Sequence, residues 1–226
     1  MRKYEFQDLG RLGWAQAFEI QQQLVARRKA GEIRDQFLIV EHPHVVTVGR
    51  NGHEENLLAS PDVLSRTGIE LHRTDRGGDV TYHGPGQIVG YPILDLRDWK
   101  RDVGAYVRAI EQMLIDTLAD FGIESHREPG MTGVWTVRAA KIAAIGVHIS
   151  RWVTSHGFAL NVSTDLEYFS YIVPCGLSKP VTSMKQLGVD AAREAVVDRL
   201  RAHFETIFDF ENAGVLQPDL QLIGRV

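Results

Sequence analysis

One thiol, one lysine and two histidines stand out in this chain as groups placed for covalent chemistry. The thiol is Cys175, the only cysteine among 226 residues. It lies in Tyr171-Ile172-Val173-Pro174-Cys175-Gly176-Leu177, where proline and glycine bracket the sulfur and favour a turn with partly free backbone. A lone cysteine forms no internal disulfide, and composition alone reads it as a small buried hydrophobe. The turn context argues for a reactive group instead. A free thiol has a pKa of about 8.5 and is mostly protonated at neutral pH, so attack requires a neighbouring cation or base. Lys141, His83 and His156 each occupy an apolar or glycine-rich setting where a charged side chain needs a reason. Separation along the chain does not choose among them. Each also has a plainer reading, as a solvated hairpin lysine or as histidines that satisfy buried hydrogen bonds.

The densest unusual stretch is Arg76-Gly77-Gly78-Asp79-Val80-Thr81-Tyr82-His83-Gly84-Pro85-Gly86-Gln87. Its glycines carry a large entropic cost, which is justified where backbone must approach a ligand or take positive φ. We read it as a ligand-binding loop, with an elaborate turn as the alternative. It has neither the Gly-Lys-Ser/Thr of a nucleotide P-loop nor the glycine spacing of a dinucleotide fingerprint. His42-Pro43-His44 raises the question of a metal, but cysteine or carboxylate companions at ligand spacing are missing, so none is expected.

These groups need elements to bring them together. Helical periodicity runs through Trp14, Ala17, Phe18, Ile20, Leu24 and Val25, through Val107, Ile110, Leu114, Leu118 and Phe121, and through Val196, Leu200, Phe204 and Ile207. Gly122 is placed to cap the second helix, and Ser60-Pro61 to open a short one. Strand-like runs cover 37–40, 45–48, 69–73, 88–96, 134–137, 142–149 and 158–162. Several strands follow one another with no helix between them, which excludes a doubly wound parallel sheet. The order predicts an α+β domain with largely antiparallel or mixed sheets flanked by helices. Arg138-Ala139-Ala140 is a hairpin-length turn that places Lys141 at the start of a strand rather than in a loop. Small residues at Ala143, Ala144, Gly146, Gly157 and Ala159 suit the walls of a narrow apolar slot.

Composition sets the frame. Hydrophobic residues make up 44% and charged residues 24%, as in folded globular proteins, and we expect one domain over 1–226 with about 211–226 as a loose tail. A net charge of −4 argues against an obligate nucleic-acid binder. Neither a membrane span nor a signal-peptide core is visible, so a cytoplasmic location is expected.

Taken together, the motifs resemble the lipoyl(octanoyl) transferase family, within the superfamily of lipoate and biotin protein ligases. They are Arg76-Gly77-Gly78, Thr81 to Gln87, Tyr91, Asp95-Leu96, Gly133-Val134-Trp135, Lys141 to Val147, His156 to Asn161 and Ile172 to Leu177. The likeness runs from about Tyr4 to Phe208. It implies a ligase-like catalytic domain that moves an octanoyl group from acyl carrier protein through a thioester on Cys175, with Lys141 tuning the thiol and moving protons. It further implies that Arg76, Gly77, Gly78, Asp79, Val80, Thr81, Tyr82 and His83, with Ala144, Ile145, Gly146, Gly157, Phe158 and Ala159, line the substrate site. The implied acceptors are lysines of the lipoyl domains of 2-oxoacid dehydrogenases and of glycine cleavage H protein, with no cofactor or metal and no nucleic-acid or membrane partner. A nucleotide-dependent lipoate or biotin ligase, in which Cys175 is incidental, and a non-catalytic acyl-binding module are the competing readings.

Overall fold

A computed structural model describes residues 2–173 and 179–211. Cys175 and the residues after Glu211 lie outside the described residues. The elements are β1 (Tyr4–Arg11), α1 (Trp14–Ala30), β2 (Asp35–Glu41), β3 (Val45–Val48), α2 (Pro61–Thr67), β4 (Glu70–Arg73), β5 (Val80–His83) and β6 (Gln87–Ile93). They continue with α3 (Val103–Asp120), β7 (Ser125–Glu128), β8 (Met131–Thr136), β9 (Lys141–Ser150), β10 (Val153–Asn161) and α4 (Arg193–Ile207).

Two mixed sheets result. The larger has seven strands in the order β1-β2-β6-β10-β9-β8-β7, and the smaller has three in the order β4-β3-β5. Pairing is antiparallel except for β1 with β2 and β3 with β4. The architecture is the α+β arrangement expected from the order of elements.

Side-chain alternation assigns the faces. Along β2, Phe37 and Ile39 join a core with α3 and α4, whereas Leu38 and Val40 join a second core under α1. A third core, with Val46, Val80 and Tyr82, lies between the small sheet and α2. Local signals terminate the helices as expected: Ser60 Oγ accepts from Val63 N–H at 3.3 Å, and Gly122 takes a φ of 73° just beyond α3. In the β8–β9 hairpin, Ala139 takes a φ of 55° and Lys141 opens β9.

Three strands were not expected. Tyr4–Arg11 alternates only weakly, with Tyr4 and Phe6 inward, and gains its place by pairing with β2, buried from Asp35 to Val40. Ser125–Glu128 is polar and pairs with β8. Val80–His83 lies inside the glycine-rich stretch, which is therefore half loop and half strand. The expected run 88–96 ends earlier, at Ile93, and beyond it Asp95 keeps a single bridge to Val153.

Candidate active site

The site is built where the Arg76–His83 segment passes over β9, β10 and β6. It forms a narrow slot. The floor is made by Ala144, Ile145 and Gly146 on β9 and by Gly157, Phe158 and Ala159 on β10, with Val89 and Tyr91 on β6. Gly146 pairs with Gly157 and Ala144 with Ala159, so small residues face one another across the strands. A Cβ on Gly146 would meet the Gly77 carbonyl oxygen at 2.9 Å, and one on Gly157 would meet that of Gly90 at 2.2 Å. The close approach of backbone to backbone that keeps the slot narrow therefore requires glycine.

Alternation along β5 decides which residues of the glycine-rich segment face the slot. Thr81 and His83 line it, whereas Val80 and Tyr82 turn into the third core. Asp79 lines neither the slot nor the cavity beside Lys141. Its carboxylate accepts from the backbone N–H of His53 at 3.0 Å and from the Asn56 side chain. Arg76 lines the slot but is anchored outside it, with Nη2 donating to the Thr47 carbonyl at 2.7 Å and Nε to Thr47 Oγ1 at 3.2 Å.

The polar groups of the slot are matched. His83 Nδ1 donates to Gln87 Oε1 at 2.8 Å, Gln87 Nε2 donates to Asn161 Oδ1 at 2.9 Å, and Asn161 Nδ2 donates to the Thr182 carbonyl at 3.0 Å. Since a carbonyl oxygen only accepts, the proton of neutral His83 is on Nδ1. His42 is likewise fixed, with Nδ1 donating to the Leu12 carbonyl and Nε2 accepting from the Tyr91 hydroxyl, each at 2.8 Å. Burial pushes His83 down to about 3, helped by the neighbouring His42, and pushes His42 down to about 4. Burial also lowers His156, against the pull of Asp75. All three are neutral at physiological pH.

Lys141 belongs to a different setting. It is 7% exposed, with Nζ 4.6 Å from the centroid of the Trp135 ring, and Lys179 Nζ is 5.0 Å from the same centroid. Lys179 also pairs with Glu128 at 3.2 Å. Lys141 N–H donates to the Pro180 carbonyl and its carbonyl accepts from Thr182 N–H, both at 2.9 Å, so the chain leaving the Cys175 segment runs beside it. On the entering side, Val173 N–H donates to the Asn56 carbonyl at 2.8 Å. Lys141 lines a second, solvent-open cavity, which shares Gly78, Ile145 and Gly146 with the slot and also takes in Gly77. The hydrogen bonds from Thr182 back to His83 link this corner to the slot.

The structure thus brings Lys141, His83 and His156 to one connected region, with the histidines on the slot and the lysine on the adjoining cavity. Sequence reasoning missed Trp14 and Val89 as lining residues. Both read as ordinary apolar positions on a helix and a strand, and only the topology turns them toward the slot.

Residues 14–205 match the lipoyl protein ligase A/B catalytic domain family. The chain belongs to this family. Among its relatives, an octanoyltransferase of Solibacter usitatus is 68% identical over 93% of this chain and 96% of that protein. An octanoyltransferase of Acidobacterium capsulatum is 50% identical over 96% of this chain and 97% of that protein. A bipartite lipoate protein ligase of Thermoplasma acidophilum, solved with its E2 lipoyl domain, shares the fold at a TM-score of 0.80 and 16% identity, covering 99% of this chain and 90% of that one. A biotin protein ligase of Aquifex aeolicus in complex with biotin and ATP is a more distant neighbour, at a TM-score of 0.55 and 10% identity over 92% and 71% of the two chains. Within the family's fold, the slot lies between the large sheet and the glycine-rich segment. Among the described residues, no helix is long and apolar enough to cross a membrane.

Proposed function

We infer that this chain is an acyltransferase that moves an octanoyl group onto a lysine of lipoyl-dependent protein domains, working as a single catalytic domain in the cytosol. The observation that carries the reading is near full-length identity of 68% to an octanoyltransferase, combined with a narrow, mostly apolar slot that shares its wall with a cavity lined by a buried lysine. Each methylene buried in such a slot contributes about 0.8 kcal/mol, which suits a medium-length alkyl chain. The donor in this reading is octanoyl-acyl carrier protein. The acceptors are lipoyl domains of 2-oxoacid dehydrogenases and glycine cleavage H protein.

The chemistry assigned to the site has two steps. The Cys175 thiolate, stabilised by the Lys141 ammonium, attacks the donor carbonyl, and the carrier thiolate leaves and takes the proton of that ammonium, which leaves Lys141 neutral. One thioester replaces another, so activation of the acyl group is kept without nucleotide. The acceptor amine then attacks the Cys175 thioester and gives its surplus proton to neutral Lys141, while Cys175 departs as the thiolate. Support for this pairing comes from the Lys141 backbone, which is hydrogen-bonded to Pro180 and Thr182, just after the segment that carries the thiol. Arg76, Gly77, Gly78, Thr81 and His83, with Ala144, Ile145, Gly146, Gly157, Phe158 and Ala159, are proposed to contact the acyl chain or its thioester. Asp79, Val80 and Tyr82 are proposed to brace them.

The test is transfer from octanoyl-acyl carrier protein to a lipoyl domain in the absence of ATP, followed by the mass of the acceptor. Transfer independent of ATP is expected; strict dependence on ATP would replace this reading with that of a ligase.

A further inference from the structure

The slot is closed on one flank by His156, and the groups that hold this ring in place belong to a different cavity. The ring lines the slot, whereas its partners Phe18 and Asp75 line a third, solvent-open cavity along α1. His156 Nε2 donates to Asp75 Oδ1 at 2.8 Å, and the ring stacks on Phe18 with centroids 5.4 Å apart. Its backbone N–H donates to Gln21 Oε1 at 2.9 Å. Asp75 is held in turn by His148, whose tautomer is set by Arg50: Nη2 donates to His148 Nδ1 at 2.9 Å, which leaves Nε2–H to face Asp75.

The backbone at this point is exceptional. His156 has a φ of 57° in the middle of β10, a left-handed conformation that strand residues rarely adopt. Ladder pairing of β10 with β6 covers only Phe158 to Asn161, and beyond it Val153 keeps a single bridge to Asp95. The ring is therefore wedged beside an interruption in the sheet, held there by partners on the far side of the wall it forms.

We propose that His156 is an acyl-length stop, a specificity-determining partition between the slot and the cavity along α1, whose removal joins the two. The proposal rests on the acyl-transfer reading of the slot. The cavity behind the ring is open to solvent and lined mostly by polar residues, but Phe18, Val25 and Ala26, with the stems of Lys29 and Arg151, give it an apolar strip for further methylenes. A neutral ring stacked on one side and hydrogen-bonded on the other does not yield to a longer chain as a free side chain would.

The experiment is a chain-length profile of kcat/KM, from hexanoyl- to dodecanoyl-acyl carrier protein, for the wild-type chain, His156→Gly and Phe18→Ala. Glycine accepts the positive φ, so His156→Gly removes the ring without adding backbone strain. The expected result is a wild-type profile that falls beyond octanoyl and a dodecanoyl-to-octanoyl ratio raised about tenfold in His156→Gly, as added methylenes find surface to bury. Phe18→Ala, which loosens the ring from the other cavity, moves the ratio the same way by a smaller factor. Losses equal at every chain length in both variants would overturn the stop and leave His156 a structural residue. Should His156→Gly fail to fold in a thermal melt, the Phe18→Ala profile decides alone. A wild-type chain that transfers no octanoyl group at all would instead overturn the acyl-transfer reading, and that outcome is visible in the same assay.

Discussion

The slot and the Lys141 corner share Gly78, Ile145 and Gly146, yet they treat charge in opposite ways. In the slot, His83 and His156 are kept neutral by burial, and Arg76, the permanent cation among its described lining residues, turns its guanidinium to Thr47 and the Gly77 carbonyl. At the corner, a lysine with little solvent access lies over an indole face, with the Lys179 side chain over the same ring and a cavity beside it. An uncharged chain is well served by the first environment, and making or moving a charge by the second. The division teaches where each kind of substitution should act: changes in the slot alter which acyl group is accepted, and changes at the corner alter whether it is transferred.

The largest effect expected from this contrast is at the corner. Lys141→Ala should lower kcat for octanoyl transfer by roughly 10²- to 10⁴-fold, the range for loss of a proton-transferring group, while leaving the fold and the binding of octanoate largely intact. Steady-state kinetics beside a thermal melt would check it, and near-normal turnover would remove the distinction between the two regions. A smaller effect is expected at the shared wall. In Gly146→Val, a Cβ placed 2.9 Å from the Gly77 carbonyl oxygen and 3.1 Å from Arg76 Cδ narrows the slot. Its kcat/KM should fall about tenfold or more for octanoyl and less for butanoyl, because overpacking costs ~1–3 kcal/mol and a shorter chain needs less of the slot.

The smallest effect concerns stability in mild acid. His83 and His42 are depressed in the fold to about 3 and about 4, from 6.5. Below about pH 6.5 the unfolded chain therefore binds more protons than the folded one, so this contribution is complete above that value and is lost as pH falls toward 4 and 3. Urea melts from pH 7 to pH 4.5 should show a progressive loss of stability attributable to these rings. Replacing His42 with Gln should flatten that slope; an unchanged slope would place the acid sensitivity elsewhere.

Much of this division could be read from the chain before any coordinates. The hairpin at Arg138-Ala139-Ala140 located Lys141 at a strand start because turn chemistry and strand propensity are local. The small residues of β9 and β10 announced a narrow slot for the same reason. What stayed hidden is set by contacts between distant segments. Glycine density concealed the strand Val80–His83, whose partner is Val45–Val48, and with it the alternation that turns Thr81 and His83 toward the slot and Val80 and Tyr82 away. The resemblance put Asp79 in the substrate-site segment, and the partners its carboxylate holds, His53 and Asn56, lie 26 and 23 residues away in sequence. The positive φ of His156 has no local signature at all, since histidine in a strand ordinarily extends.

The account rests on a covalent acyl group carried beside Lys141, and the intact mass of the chain after a brief incubation with octanoyl-acyl carrier protein tests it most directly. One added octanoyl group is expected, removed by hydroxylamine, absent in Cys175→Ala and formed at least tenfold more slowly in Lys141→Ala, about the minimum for losing a charge partner of the thiol. An adduct that persists in Cys175→Ala, or transfer to a lipoyl domain by that variant at the wild-type rate, would contradict it.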